Sequence, residues 1–309
     1  MGQYKKFWYL LVAVLIGAFS ILGYYGFEVY REAPPIPQQY VSEQGEKVIT
    51  HDEILHGQTA WQSTGGMQLG SVWGHGAYQA PDWTADWLHR ELTNWLDIQA
   101  QKDYSKPFAD LNEEQQTLLK ARLTREYRGS RVDENGTVVL SNTRLAAIEK
   151  TAAYYISLYG DDPATKVTRE HFAMKDNTLP NLQARQDLTK FFFWTAWTAS
   201  AERPNTHASY TNNWPHEPLI NNVPTPENVV WSIASVVFLI AGIGFVVWIW
   251  SFKKRQDEKD PIPPSADPLT TLQLTPSQRA LGKYLFTVLA LFFLQVNLGA
   301  VVAHYTVEG

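Results

Sequence analysis

Three long apolar runs and one long amphipathic block divide this chain. Residues 7–27 contain no charged residue, residues 229–252 are equally free of charge, and a third apolar run begins near Leu281. A helix of about 20 apolar residues crosses the hydrocarbon core of a bilayer. The pattern therefore predicts membrane helices in segments 1–27, 229–252 and 281–309, with a soluble domain at 28–228 and a polar linker at 253–280.

The first run has two interpretations, a retained membrane helix and a cleaved signal peptide. Its 21 residues exceed the usual 7–15 residues of a signal-peptide core, and no small-x-small cleavage site follows. Trp8 and Tyr9 near one end and Tyr24 and Tyr25 near the other are typical of aromatic belts at membrane interfaces. We therefore favour the retained helix.

Helical periodicity and capping signals predict that the soluble block is mostly helical. Asp82 is the expected N-cap of a helix, and Asn112 with Gln115 is a capping-box pattern. Asn142 is expected to cap a further helix that ends before Gly160. The predicted helices are a tryptophan-rich one after residue 82 with apolar face Trp83, Trp87, Leu88, Trp95 and Leu96, and helices at 113–127, 142–159 and 183–201.

Two segments of the block are not helical in pattern. Asn135-Gly136, between short β-favouring stretches, predicts a hairpin turn. Residues 61–83 combine tryptophans with glycines, which indicates tight turns or close backbone approach.

The charge distribution predicts an orientation in the membrane. Residues 28–228 carry a net charge of −8 and the remainder carries +3, which gives the total of −5. Basic clusters at Lys5-Lys6 and Lys253-Lys254-Arg255 flank the first two runs on the same predicted side, and Arg279 and Lys283 flank the start of the third. The positive-inside rule places the clusters in the cytoplasm and the acidic block outside. An acidic domain also argues against nucleic acid as a partner.

The chain contains no cysteine. Disulfides, thiolate zinc sites, iron–sulfur clusters and covalently attached c-type haem are therefore excluded. The sequence also lacks a Gly-x-Gly-x-x-Gly motif, a Walker loop and a His-Glu-x-x-His motif. The soluble block has no pattern of a self-contained active site.

His304 and Glu308 are the candidate site residues. They follow the third apolar run and lie one helical turn apart, so a continuing helix would present both side chains on one face. Ionisable groups at membrane depth are functional candidates, and this pair could accept protons from a lipid-soluble quinol. Two alternatives remain open, an ordinary interfacial pair and a haem axial ligand at His304.

Several long blocks resemble quinol-dependent nitric oxide reductases of the haem-copper oxidase superfamily. They are Gly-Ser-Val-Trp-Gly-His-Gly-Ala-Tyr at 70–78, Pro-Asp-Trp-Thr-Ala-Asp-Trp at 81–87, Ser-Tyr-Thr-Asn-Asn-Trp-Pro at 209–215 and Ala-His-Tyr-Thr-Val-Glu-Gly at 303–309. The resemblance covers essentially the whole chain and corresponds to the N-terminal portion of the family.

The resemblance implies a mainly α fold, with membrane helices and an extracytoplasmic domain that is similar to a cytochrome c but holds no haem. Bulky side chains fill the vacated haem space, and we assign residues 191–197 to this role. His304 and Glu308 match the quinol-binding pair. The resemblance also implies a bacterial inner membrane, a periplasmic domain and a cytoplasmic N-terminus.

In the intact enzyme the family uses haem b, haem b3 and non-haem iron, whose ligands are not expected in this chain. The implied partners are the lipid bilayer, a membrane quinol and the remaining transmembrane helices, and a second copy of the chain is a candidate. On its own the chain is expected to be inactive. The alternative functions are a membrane-anchored sensor domain and an assembly domain.

Overall fold

The computed structural model describes residues 5–257 other than 32, 75 and 78. The chain divides into two compact units between Ser232 and Ile233. The predicted third span, most of the predicted linker, and both His304 and Glu308 lie outside the described residues.

The described part of the chain is mainly helical. Its α-helices are α1 Lys5–Arg31, α2 His51–Ser63, α3 Trp83–Tyr104, α4 Glu113–Arg128, α5 Asn142–Leu158, α6 Lys166–His171, α7 Leu182–Ser200 and α8 Pro226–Asp257. Its strands are β1 Gln39–Ser42, β2 Lys47–Thr50 and β3 Thr137–Leu140. Short 3₁₀ turns occupy Gly66–Gln68, Phe108–Asp110, Pro163–Thr165 and Pro218–Ile220.

Two of the described helices are long and apolar enough to cross a membrane. The qualifying segments are Tyr9–Glu28 within α1 and Val229–Phe252 within α8, and none of their residues is buried. Their mean hydropathy values are 2.1 and 2.5. An exposed apolar surface of this length is unfavourable in water and suits the hydrocarbon core of a bilayer.

Helix α7 forms the centre of the soluble domain and packs against α2, α3 and α5. Every residue from Asp187 to Ser200 is buried except Lys190, which is partly exposed. A helix that is apolar on all sides is expected to be enclosed by other elements. Helix α3 contacts α5 and α7, and its predicted apolar face from Trp83 to Leu96 is confirmed as buried.

A small sheet in the order β2-β1-β3 covers one side of the core. Strands β1 and β2 pair antiparallel, whereas β1 and β3 pair in parallel, with Tyr40 opposite Val138. The predicted hairpin at Asn135-Gly136 is therefore wrong. The turn itself exists, with Gly136 at φ 74° and its amide donating to the Asp133 carbonyl, but β3 pairs with a strand almost 100 residues earlier.

The sequence predicts helix caps more accurately than strand pairing. Asp82 accepts a hydrogen bond from the Ala85 amide at 2.9 Å, and Asn112 and Gln115 form the predicted capping box. The cap of α5 is Ser141 rather than Asn142, because the Ser141 hydroxyl accepts from the Arg144 amide. Gly160 follows the C-cap Tyr159, as predicted.

Candidate functional site

An aromatic cluster centred on Phe192 fills the middle of the domain. The ring of Phe192 stacks on Trp83 at a centroid distance of 5.7 Å and meets Tyr155 edge-on at 5.3 Å. The ring of Trp87 stacks on the ring of Tyr155 at a centroid distance of 5.1 Å. All four side chains are at most 2% exposed. Ring geometries of this kind add specific stabilisation to the burial of the rings.

Residues 191–197 are all buried, as their proposed role in filling the interior requires. Phe193 and Trp197 both lie edge-on to Tyr40 of β1, at 5.0 and 5.9 Å. The indoles at the edge of the segment have polar partners: Trp197 Nε1 donates to Ser130 Oγ and Trp194 Nε1 donates to the Pro35 carbonyl. One segment of α7 therefore joins the sheet, the end of α4 and the chain that leaves α1.

A buried ion pair lies within this aromatic interior. Arg144 Nε of α5 donates to Glu91 Oε1 of α3 at 3.1 Å, and both side chains are at most 2% exposed. The other carboxylate oxygen of Glu91 accepts from Trp87 Nε1 at 2.8 Å. The guanidinium carbon of Arg144 lies 4.0 Å from the ring centroid of Tyr127, which is a cation–π contact.

Burial raises the pKa of the Glu91 carboxyl above its ordinary value, and the charge of Arg144 and the bond from Trp87 oppose this effect. Burial lowers the pKa of Arg144, but the combined attraction of Glu91, Tyr127 and Glu126 outweighs burial, so the pKa is raised overall. Removing either partner would leave an uncompensated charge in a dry interior, which is strongly unfavourable. The pair links α3 to α5 at a fixed position.

A second polar group lies on α3 closer to the surface. Asp86 Oδ2 accepts hydrogen bonds from Tyr155 Oη at 2.6 Å and from Arg90 Nε at 2.8 Å. Burial and the nearby Asp86 charge raise the pKa of Tyr155 well above its ordinary value. Tyr155 therefore remains a neutral hydrogen-bond donor.

His89 connects α3 to the segment that precedes α8. Its Nδ1 lies 3.0 Å from Oε2 of the buried Glu217, whose Oε1 accepts from the Leu219 amide. The hydrogen bond to Glu217 raises the pKa of His89, while partial burial opposes the rise. This contact is one of the pH-sensitive links between helices and loops in the domain.

Arg128, the last residue of α4, holds segment 201–225 in place. Its guanidinium donates to Glu202 Oε1 at 3.0 Å and to Asn222 Oδ1 at 2.9 Å. It also donates to Asn213 Oδ1 and to the carbonyl of His207. One arginine thus fixes four points of a long segment that contains little regular secondary structure.

The glycine-rich stretch after α2 allows the close backbone approach that the sequence predicts. A Cβ at Gly70 would lie 2.1 Å from Trp83 Nε1, and a Cβ at Gly74 would lie 1.5 Å from Trp214 Nε1. Asp82 Oδ2 ties the same stretch to α3 by accepting from Ser71 Oγ and the Gly74 amide. The motif at residues 70–78 thus packs against the motif at 209–215.

The described residues do not fit a c-type haem. The chain has no cysteine for covalent attachment, and aromatic side chains pack the interior around Phe192. Within residues 5–257, apart from 32, 75 and 78, no three His, Cys, Asp or Glu side chains cluster in a way that could hold a metal ion.

Two surface clefts of about 330 and 450 Å³ adjoin Arg125, Glu126 and Ser141, and most of the side chains that line them are polar.

The predicted site residues His304 and Glu308 lie outside the described residues, so their placement stays a prediction. The Glu91–Arg144 pair is not among the predicted site residues, although the sequence contains one signal for it. Trp83, Trp87 and Trp95 are spaced by multiples of four, and Glu91 occupies the remaining position of that stripe. A carboxylate at that position predicts a buried charge that needs a partner.

The described residues thus form a mainly helical domain with an aromatic interior, in a chain that also carries two membrane-length helices. The family model for the NorB cytochrome c-like domain of nitric oxide reductase matches residues 37–216, which is more than half of the chain. The chain therefore belongs to the NorB family of nitric oxide reductases. A search among curated proteins finds no match.

Proposed function

We propose that this chain contributes to a quinol-dependent nitric oxide reductase that converts two NO and one quinol into N2O, water and quinone. Its share is the cytochrome c-like domain and part of the quinol site at His304 and Glu308. Family membership and the two membrane-length helices support this proposal.

The choice of quinol as electron donor rests on one observation. The cytochrome c-like domain lacks the cysteines that would attach a c-type haem, and its interior is filled by side chains such as Phe192 and Trp83. Electron transfer through the domain would require a redox group that these residues cannot hold. A donor that delivers electrons from within the membrane does not need such a group.

The proposed roles of His304 and Glu308 follow from the chemistry of quinol oxidation. A quinol loses two protons as it loses two electrons, and the imidazole and the carboxylate are suitable acceptors for these protons. A histidine titrates near neutral pH, so it can accept a proton and then release it to water. The basic clusters in the sequence support placement of this pair and of the domain on the outer face.

The remaining chemistry belongs to haem b, haem b3 and non-haem iron, which supply one-electron transfer and binding of NO when present. The resemblance places their ligands on segments other than residues 1–309. The described residues of this chain supply the packed domain and two membrane helices for the rest of the enzyme.

The test is to change His304→Ala or Glu308→Ala in the intact enzyme and to measure NO consumption with quinol. Each change is expected to slow quinol-driven turnover by about 10²-fold or more, because a proton acceptor is lost. Haem content, measured by the absorbance of the reduced enzyme, is expected to stay near normal.

Two controls separate the alternatives. Turnover driven by a small-molecule reductant that bypasses the quinol site is expected to remain close to that of the unchanged enzyme. Loss of haem b from His304→Ala would instead identify His304 as an axial ligand. Unchanged quinol-driven turnover in both variants would reject the proposed quinol site.

A further inference from the structure

Both membrane helices join the domain through short segments that are hydrogen-bonded to its surface. Four residues after α1 ends at Arg31, the Pro35 carbonyl accepts a hydrogen bond of 3.0 Å from Trp194 Nε1. Immediately before α8, the Thr225 amide donates to the Asn212 carbonyl at 3.3 Å. The domain is therefore anchored close to each membrane helix.

A continuous row of contacts connects these two anchor points. The rings of Trp194 and Trp73 meet at 5.4 Å, and the next residue, Gly74, lies directly against the indole of Trp214. Asn213 Nδ2 then donates to the Val223 carbonyl at 2.9 Å. We call this row the tether strip, and its members are Pro35, Trp194, Trp73, Gly74, Trp214, Asn213 and Val223.

Two members of the tether strip expose apolar surface. Trp214 is 41% exposed and Val223 is 50% exposed. Within residues 39–225, apart from 75 and 78, Trp214 is the only exposed aromatic side chain among the large hydrophobic residues. The other tryptophans of residues 39–225 are buried or half-buried, so the exposed indole of Trp214 is a candidate contact surface.

The number of residues between Val223 and α8 limits how far Val223 can lie from the membrane span. The Val229 amide bonds to the Thr225 carbonyl, so the helix is already formed at this point and rises only about 6 Å over those four residues. Two further residues back to Val223 add at most about 7 Å. Val223 therefore lies within about 13 Å of the first residue of the apolar span, a distance comparable to the depth of the headgroup layer plus a side chain.

We propose that Trp214 and Val223 lie in the phospholipid headgroup layer and seat the domain on the bilayer. The amphipathic indole is suited to this layer, since its ring is apolar and its N–H is polar. The exposed neighbour Asn212 is polar, which fits the headgroup layer and not the hydrocarbon core. This inference rests on the two membrane helices and is independent of the proposed reaction.

The absence of cysteine from the chain allows a direct test. Val223→Cys and, as a matched control, Val167→Cys each introduce one site for a nitroxide spin label into the full chain in phospholipid nanodiscs. Val167 is 65% exposed and lies on α6, which packs on α5 and on the turn Pro163–Thr165. The measurement is collision of the label with oxygen, which concentrates in lipid, and with a water-soluble nickel chelate.

The label at residue 223 is expected to show a several-fold higher ratio of oxygen to nickel collisions than the label at residue 167. Equal ratios would place Val223 in water and overturn the proposal. Low collision with both reagents would mean that a protein surface covers Val223, and this would also overturn it.

A further substitution tests the part played by Trp214. In the Val223→Cys background, Trp214→Ser is expected to shift the collision ratio toward that of the control site. Circular dichroism establishes that the variant is folded. An unchanged ratio in a folded variant would reject Trp214 as an anchor.

Discussion

Glu91 and Arg144 place opposite charges where almost no water reaches them. Each charge has a hydrogen-bond partner, and the Tyr127 ring covers the guanidinium. Such a pair contributes little net stability compared with a well-packed apolar pair, but it becomes strongly unfavourable when one partner is lost. It therefore specifies how α3 meets α5 more than it strengthens the domain.

A double-substitution series tests this view of the ion pair. Glu91→Leu alone is expected to lower the free energy of unfolding by about 3–5 kcal/mol, because the charge of Arg144 stays buried without a partner. For a domain of this size that is a fall in Tm of about 10 °C. Arg144→Met in the same chain is expected to recover most of the loss, as measured by thermal unfolding in detergent. A double variant no more stable than the single one would contradict this account.

The His89–Glu217 contact predicts a pH dependence. The hydrogen bond with Glu217 raises the pKa of His89 in the folded state above 6.5. Protonated His89 therefore stabilises the folded state. That contribution is fully present below the ordinary pKa and is lost as the pH rises through the raised value. Between about pH 6 and about pH 8, stability is expected to fall by on the order of 0.5 kcal/mol from this partly exposed contact.

Thermal unfolding across that pH range measures the effect. His89→Gln is expected to flatten the slope, and His56→Gln, at an exposed histidine of α2, is expected to leave it unchanged. Asp86 and Arg90 also act on His89, Asp86 raising its pKa and Arg90 lowering it. An unaltered slope in His89→Gln would assign the pH dependence to other groups.

At the scale of elements, the domain depends on the close contact of α2 with α7. A Cβ at Gly57 would lie 2.0 Å from the backbone carbonyl oxygen of Asp187, so no other side chain fits without moving a helix. A hydrogen bond between Lys190 Nζ and Glu53 Oε1 bridges the same two helices. The glycine is therefore required by helix packing rather than by backbone conformation.

Gly57→Ala is expected to lower the free energy of unfolding by about 2 kcal/mol, because the strain of overpacking exceeds the gain in helix propensity. His56→Ala, at the exposed neighbouring position, serves as the control and is expected to change little. Chemical denaturation of the full chain in detergent measures both. A stabilised Gly57→Ala variant would show that α2 and α7 can separate at no cost.

Local and distant features of the fold differ in how well the sequence predicts them. Capping by Asp82 and Asn112 depends on residues three positions away, so a short sequence pattern is enough to predict it. The pairing of β1 with β3 joins residues such as Tyr40 and Val138, and no local signal marks which distant strand is the partner. The spacing of Glu91 in the tryptophan stripe indicates a buried charge, whereas its partner on α5 could be found only from the structure.

At the scale of the whole molecule, two membrane-length helices and a packed cytochrome c-like domain belong to one chain of the NorB family. Under the proposed function, the haem and iron ligands lie on other segments of the enzyme. Purified residues 1–309, supplied with haem and quinol, are therefore expected to consume no NO above the rate without protein. Sustained NO consumption, followed with an NO electrode, would contradict this expectation.

The position of α7 late in the domain has a consequence for biosynthesis. Helix α2, formed from residues 51–63, finds its main packing partner only when residues 182–200 have been made. Until then α3 can pack on α5, but Trp61 of α2 lacks its Phe191 partner and Trp83 lacks its Phe192 partner. A ribosome-bound intermediate that ends before α7 is therefore expected to expose part of its aromatic surface, and the domain is expected to become protease-resistant only after α7 has been made.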